Sequence, residues 1–593
     1  MSSPERIEGF AAIADYAVLG DGRTVALLAS DGSVDWWPFP VLDSPPFCYA
    51  LLEPGGGRFR LAPQGAYKAT RRYLEGTNVL ETTCTTPTGA VRLTQALNTG
   101  SAGRLPWTEL AHRVEGLSGK VVMAWEFTLG DGFGVAKPWV TRRGETPVIT
   151  AGDQSVAVVL DAADGLTVDP RAVSGTFSVD ADRQVAMALV ATRGEPLFVP
   201  SVAAVDARLD RTIESWRRWS AQVDNEGPWS GAVERSALAL KALLAEADGA
   251  IAAAATTSLP ERVCGPKNWD YRYAWVRDSS FAVDALINLG LHEEVHGAVS
   301  WLLGALGRNG PDLCVFYTLG GQVPDAETEA DVSGYRHSRP VRIGNSASAQ
   351  VQLGNYGDFF DTIHRYVGEG HLLDTETAQA LAGLADRCCD AWMERDSGIW
   401  ELHRLEHYTI SKIGCWVALD RAVRLARSGQ IPDRHIERWA SEVQEIRDWV
   451  DTHCWCEAKG TYTFYAGTDQ LDAAVLLAGR TGFDRGPRLA STVEAVAAEL
   501  GRGPLLYRYS GMEEEEGAFV ACTFWMVDAL VITGQVARAR RLMDEAITYA
   551  SDLGLISEQV DPETRALLGN FPQGLSHLAL INAAHSLRRV GRP

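Results

Sequence analysis

The stretch ARLDRTIESWRRWSAQV (207–223) decides the fold, because the hydrophobic period changes on either side of it. Its apolar residues recur at helical spacing among charges, so it predicts a polar helix that links two domains over 207–230. Upstream, residues 1–206 read as strands. KVVMAWEFTL (120–129) and QVAMALVAT (184–192) alternate or carry β-branched runs, and turn signals DGS, PTG, DGF and ADG punctuate the half. An N-terminal β-sandwich is expected there.

Downstream, residues 231–593 carry helical patterns near 232–247, 278–289, 292–308, 347–367, 372–394, 411–428, 433–454, 468–479, 488–500, 516–533, 536–551 and 573–589. Gly290, Gly429 and Gly534 stand where a left-handed residue closes a helix. Every second connection is short, which makes its helices antiparallel neighbours. The long connections, rich in Gly, Trp and charge, then emerge on one side. Six hairpins in a ring, an (α/α)6 barrel, is the natural closure, with binding and catalysis on the face that carries the long loops.

A chain of 593 residues fits this two-domain division. The net charge of −21 argues against nucleic acid or an anionic membrane as a partner, since both repel such a surface. A neutral small molecule fits better. No apolar run reaches the roughly 18–20 residues of a membrane span, and MSSPERIEGFAAIADYA lacks a basic segment followed by an apolar one. A cytoplasmic protein is expected, with oligomeric state open, a homo-oligomer included. The ten Cys show no C-x-x-C spacing and read as reduced core thiols. Of the eighteen Trp, several lie among polar residues, as in DWWPFP (35–40), KNWDYRYAW (267–275) and GIWELH (398–403). Flat rings beside polar groups suit a sugar, whose C–H face stacks while its hydroxyls take hydrogen bonds.

No H-E-x-x-H, G-x-S-x-G, Walker loop or strand-following G-x-G-x-x-G is present. No metal-ligand cluster stands out and no cofactor is implied. Acids in the long loops remain, and two have neighbours that would tune them: Glu401 beside Trp400, and Glu558 among Ser557, Gln559 and Asp561. Glycoside hydrolysis needs such a pair, one carboxylic acid and one carboxylate. A ring raises a carboxyl pKa by desolvation, which favours Glu401 as the acid; polar company would keep Glu558 ionised, as a base. The plainer alternative is that each is a solvated surface charge.

YRYAWVRDSSF, SGIWELH, EEEEGAFVACTFW and GLISEQVDPETRALLGNFPQGLSHLALI, with the N-terminal IADYAVLGDGRTVALLASDGSVDWWPFPVLDSPPF, together resemble glycoside hydrolase family 15, the glucoamylase-like enzymes that include bacterial trehalases. The resemblance covers nearly the whole chain and implies a β-sandwich followed by an (α/α)6 barrel. It implies that Glu401 is the general acid and Glu558 the general base of an inverting, exo-acting α-glucoside hydrolase. Such an enzyme releases β-glucose from the non-reducing end of trehalose or a short α-gluco-oligosaccharide. The carboxyl groups of an inverting pair stand about 6.5–9.5 Å apart. By the same resemblance Trp275, Arg277 and Asp278 hold the terminal glucose, with Tyr273 and Trp275 as walls and Trp400 also binding substrate; Asp278 also reads as a helix cap. Arg508 resembles a residue that contacts sugar hydroxyls, and Glu515 and Glu516 stand near the aglycone. Glu513 to Glu516 otherwise read as the acidic opening of the tenth helix.

Two departures bear on the substrate. GNSASAQVQLGNYGD puts Asn355 where relatives have Asp, which weakens any role for Gln350 and Tyr356, and Leu402-His403-Arg404 replaces the residues that usually follow Trp-Glu in trehalase-like members. The loop 31–46 is expected to help close the pocket. The alternatives are an inverting disaccharide phosphorylase, against which Glu558 and the acidity argue, and an inactive carbohydrate-binding relative, against which both Glu argue.

Overall fold

The computed structural model describes residues 6–100, 105–128, 130–131, 136–144, 146–160, 164–310 and 313–590. One strand organises the first domain. Thr108–Thr128 pairs through its first half with Gly89–Leu97 and Gln184–Arg193, and through its second half with Arg58–Pro63 and Ala172–Asp180, always antiparallel. It passes from one sheet to the other at the exposed stretch 117–120. Gly119 sits there at φ +58, where a Cβ would meet Thr88 O at 2.1 Å, so the corner requires glycine.

The sheet that holds Arg58–Pro63 continues through Ser33–Pro38, Val25–Ala29 and Tyr16–Gly20. The sheet that holds Gly89–Leu97 and Gln184–Arg193 runs to Lys68–Tyr73 on one flank and to Trp139–Arg143 on the other. Trp37, Phe39, Phe47, Phe59, Met123 and Phe127 fill the space between. Along Ala172–Asp180 every second residue is buried, as a strand with one face on a core demands.

The helix expected at 207–223 runs Val202–Ser220 (α1). It starts earlier because Ser201 caps it, Oγ accepting from the Ala204 amide at 3.3 Å, and because Val202 and Val205 extend its buried face onto Ala188 and Val190 of the sandwich. Arg208 donates to both oxygens of Glu109 at 2.9 and 2.6 Å in a buried ion pair. The supposed linker is therefore strapped to the sandwich.

Among the described residues twelve α-helices follow: α2 (Ser230–Leu243), α3 (Val276–Asn288), α4 (His292–Asn309), α5 (Gly354–Gly368), α6 (Thr375–Ala391), α7 (Thr409–Arg427), α8 (Ile436–His453), α9 (Leu477–Thr481), α10 (Pro487–Leu500), α11 (Val520–Ile532), α12 (Val536–Ala546) and α13 (Gly574–Val590). The odd-numbered helices from α3 onward each pack on the next, and α13 packs back on α3. This closed inner ring, with the even-numbered helices outside it, is an (α/α)6 barrel. The connections 244–275, 310–353, 392–408, 454–476, 501–519 and 547–573 each lead into the N-terminus of an inner helix, so all six gather at one end.

Three helices differ most from expectation. The fourth, α5, begins only at Gly354, after a separate 3-10 turn at Ser346–Ala349. The eighth starts as a 3-10 turn, Ala473–Leu476, capped by Asp472, before the short α9. The tenth, α11, begins at Val520 because Ala518 and Phe519 are extended and pair with Gln559 and Val560. Glu513–Glu516 thus lie in a loop and are not the opening turn of that helix.

Two inner helices touch through glycine. A Cβ on Gly357 of α5 would lie 2.4 Å from Gly414 O of α7, and one on Gly414 would lie 2.7 Å from Gly354 Cα. Gly357→Ala gains about 1 kcal/mol of helix propensity but must push the facing backbones away from each other, so a net loss of about 1–3 kcal/mol is expected. Urea unfolding should show a lowered midpoint at unchanged slope. A raised midpoint would mean that ring closure does not depend on this approach.

Candidate active site

The ring-rich stretch ahead of α3 builds the first wall. Trp275 is the extended residue that opens α3, and its ring stacks on Phe316 at 4.4 Å. Its indole N–H donates to Glu401 Oε1 at 2.7 Å. Arg277 donates to Asp278 Oδ2 through Nε and Nη2 at 3.0 and 2.8 Å, and to Ile399 O at 2.7 Å. Asp278 lies in the first turn of α3, and the cap position belongs to Trp275, so Asp278 is not the N-cap.

Glu401 comes from the 392–408 connection at φ +60, a left-handed conformation that costs a non-glycine residue about 1–3 kcal/mol. Its neighbours hold it there: Gln350 Nε2 donates to Glu401 O at 3.0 Å, and the Glu401 amide donates to Gly398 O at 3.2 Å. Trp400 donates to Asp472 Oδ1 at 2.8 Å and meets Phe519 edge-on at 5.3 Å, with the Arg508 guanidinium 5.4 Å from its ring. Burial raises the Glu401 pKa, against the pull of Arg277 and the Trp275 hydrogen bond.

Glu558 is fully buried in the 547–573 connection. Burial pushes its carboxyl up to about 7, only partly offset by Arg508, the Asn570 amide and the Tyr271 hydroxyl. The polar company read from the sequence does not reach it. Ser557 donates to Gln559 O, and the Asp561 carboxylate accepts from the Glu563 and Thr564 amides. Glu516 shows the opposite balance, because Arg508 and Lys267 overcome its burial and bring it down to about 2.

A pocket is lined by Trp275, Arg277, Asp278, Trp400, Glu401 and Arg508 together with Tyr271 and Gln573. Glu558 is not among its lining residues; it lies buried behind the wall, near Tyr271. Three expected residues stand elsewhere. The Tyr273 ring packs on Phe316 at 5.5 Å, and Tyr271 takes the wall position. Glu515 is half exposed and pairs with Lys267 at 2.9 Å, and Glu516 is spent on Arg508 and Lys267, so neither lines the cavity. The loop 31–46 does not line it either. Instead Trp36 donates to Ala255 O, Ser44 O accepts from Arg272, and Asp43 accepts from the Leu319 amide, bracing the site loops from behind. A larger cavity, about 780 Å³, opens behind Arg277 and Ile399 in the barrel interior. Its Asp284 and Asp361 pair with Arg365, Arg480 and Arg421, and Glu401 is absent from its lining.

A family model for glycosyl hydrolases family 15 matches residues 227–543 and 531–585. The chain belongs to this family. A second model, described as trehalase-like, N-terminal, matches residues 8–199 of the family-15 chain. The chain is 36% identical to a trehalase of Mycolicibacterium smegmatis, over 98% of its own length and 92% of the relative's. It is 35% identical to a trehalase of Mycobacterium tuberculosis, over 99% and 91%. Its architecture matches a crystal structure of bacterial glucoamylase complexed with acarbose, with a TM-score of 0.72 over 98% of this chain and 94% of that one at 13% identity. The family-15 protein is a glycoside hydrolase.

Sequence reasoning missed Tyr271, Gln573, Glu261 and Asp472. Tyr271 was within reach, two positions from Tyr273 in the same ring-rich run. The other three stand in no pattern that spacing alone would pick out.

The buried Glu558 makes stability depend on pH. Its folded pKa, about 7, stands above the 4.5 of an unperturbed Glu, so the folded state holds the proton more tightly and stability falls as pH rises from 4.5 through 7. Glu558→Gln mimics the neutral form. It should match wild type in thermal unfolding near pH 4 and be more stable by roughly 1–3 kcal/mol above pH 7. A variant no more stable at pH 8 than at pH 4, relative to wild type, would contradict the desolvation argument.

Proposed function

We propose that the enzyme is an inverting, exo-acting α-glucoside hydrolase whose substrate is trehalose and whose first product is β-glucose. The hydrogen bond from Trp275 to Glu401, in a pocket that Arg277 and Asp278 also line and with Glu558 buried near the wall residue Tyr271, supports this reading. Glu401 donates its proton to the glycosidic oxygen as the bond to C1 breaks. Glu558 takes a proton from a water that attacks C1 from the opposite face, which inverts the anomeric centre. A separation of about 6.5–9.5 Å between the two carboxyls leaves room for that water.

Arg277 and Asp278 bind vicinal hydroxyls of the terminal glucose. Arg277 is anchored to Ile399 O, so the pair presents a fixed geometry, and a substrate lacking one hydroxyl leaves a buried group unpaired at about 1–3 kcal/mol. A pocket that presents Arg277 and Asp278 beside the Trp275 and Trp400 rings suits one terminal ring, which supports exo action. The names of the relatives support trehalose. A cytosolic location is included in the same reading, supported by ten cysteines that are all free thiols.

Glu401→Gln and Glu558→Gln should each lower kcat by about 10²–10⁴-fold with the fold intact by circular dichroism. Full activity in either removes that residue from the mechanism. Proton NMR of trehalose hydrolysis, run beside maltose and isomaltose in phosphate-free buffer, should show the β-anomer first and trehalose turned over fastest. An α-anomer first, or turnover only with added phosphate, overturns the proposal. Because Glu558 must be ionised and Glu401 must hold its proton, kcat/KM should fall on both the acid and the alkaline side, with two apparent pKa values that belong to the pair.

A further inference from the structure

The loops that carry Glu558 and Arg508 meet at a residue outside every motif. Glu261, in the 244–275 connection, is fully buried. Its carbonyl accepts from the Gly517 amide at 3.0 Å, and the carbonyl of Pro260 accepts from the Gly569 amide at 2.8 Å. Gly569 lies against the Glu558 carboxyl, where a Cβ would stand 2.4 Å from Oε2. The main chain of 260–261 therefore bridges both loops.

Its side chain meets the loop of Arg508 directly. Glu261 Oε2 accepts from Arg508 Nη2 at 2.7 Å, while Oε1 has no hydrogen-bond partner among the described residues. Glu558 Oε1 has none either. Arg508 gives Nε to Glu516 Oε1 at 2.7 Å and shares Nη2 with Glu516 Oε2, which also takes Lys267 at 3.0 Å. The charges that face Glu261 are thus Arg508 and Glu516 from the 501–519 connection, Glu558 from 547–573 and Lys267 from its own.

Three buried carboxyls around one guanidinium cannot all ionise away from water. Glu516 holds two contacts to Arg508 and one to Lys267, and is the anion. An ionised Glu261 would leave one oxygen bare and confront Glu558. A protonated one has an O–H to give, and Glu558 Oε1 is an acceptor without a partner.

We propose that Glu261 is a neutral carboxylic acid at pH 7 that positions Arg508 and donates a hydrogen bond toward Glu558, directly or through one water. It is a positioning residue, since it does not line the cavity. Burial, which raises its pKa well above that of an ordinary Glu, acts in the same direction. The proposal rests on the base role given to Glu558.

Two variants and one spectrum test it. Glu261→Gln is uncharged, keeps an acceptor for Arg508 and keeps a donor for Glu558. Its kcat/KM should stay within about threefold of wild type, with the acid limb of the pH profile moved by less than about 0.3 unit. Glu261→Met removes both bonds at similar length; the acid limb should move up by about one unit and kcat/KM fall at least about tenfold. The infrared difference between wild type and Glu261→Gln at pH 7 should show loss of a protonated-carboxyl band. Loss of a carboxylate band, an acid limb lowered by about a unit in Glu261→Gln, or a Glu261→Met enzyme like wild type overturns the proposal. If Glu261→Met does not fold, the Gln profile and the infrared band decide. Failure of the base assignment is recognised separately, by activity surviving in Glu558→Gln, and leaves the infrared reading unaffected.

Discussion

Six inner helices stay closed around an axis that carries charge as well as apolar bulk, and ion pairs in their C-terminal halves hold them there. Arg480 of α9 pairs with Asp284 of α3 and lies 3.7 Å from Asp528 of α11. Arg365 of α5 reaches Asp284 at 2.6 Å and Asp361 at 2.9 Å, and Arg421 of α7 reaches Asp361 at 2.8 Å. Breaking one buried partnership of this kind typically costs about 3–5 kcal/mol, because the other charge is left unpaired. With the ring tied at that end, the opposite end is free to carry loops selected for chemistry.

The catalytic end has a different balance. Asp278, Glu401, Glu516 and Glu558 crowd it, with Arg277, Arg508 and Lys267 as nearby cations. Six inner helices point their N-termini toward this end, and each contributes roughly half a positive charge there, which offsets some of the repulsion. The remaining strain is functional. A carboxyl that desolvation pushes up to about 7 and a glutamate held at φ +60 are both less stable than they would be at the surface, and both belong to the two residues proposed as base and acid.

The β-sandwich contributes without entering the pocket. Arg272 binds Asp270 through two hydrogen bonds at 2.8 and 2.6 Å and gives a third to Ser44 O at 2.9 Å, so a buried ion pair in the site loop is completed by a carbonyl from the first domain. Asp270 also accepts from the Gly344 amide at 3.1 Å, which ties in the 310–353 connection. Trp275 stands three positions beyond Arg272, in the segment that this contact set ties to the first domain. That accounts for a sandwich and a barrel in one chain: the first domain is the back wall of the second domain's active site.

The sequence alone determined the architecture, because a period of two before residue 200 and a period of 3.6 after 230 are local properties that burial imposes on any strand or helix. Alternating short and long connections fixed the ring, and Trp275, Arg277, Asp278, Trp400 and Glu401 stand in short runs that resemble family motifs, with Arg508 named by the same resemblance. Only the tertiary structure decided which acids are buried and what they touch. Glu558 has polar neighbours along the chain that turn elsewhere, Tyr273 yields its place to Tyr271, and Glu261 meets Arg508 across 247 residues. A carboxyl's charge depends on water and on charges a few ångströms away in space, and those come from loops that the chain brings together only when the ring closes.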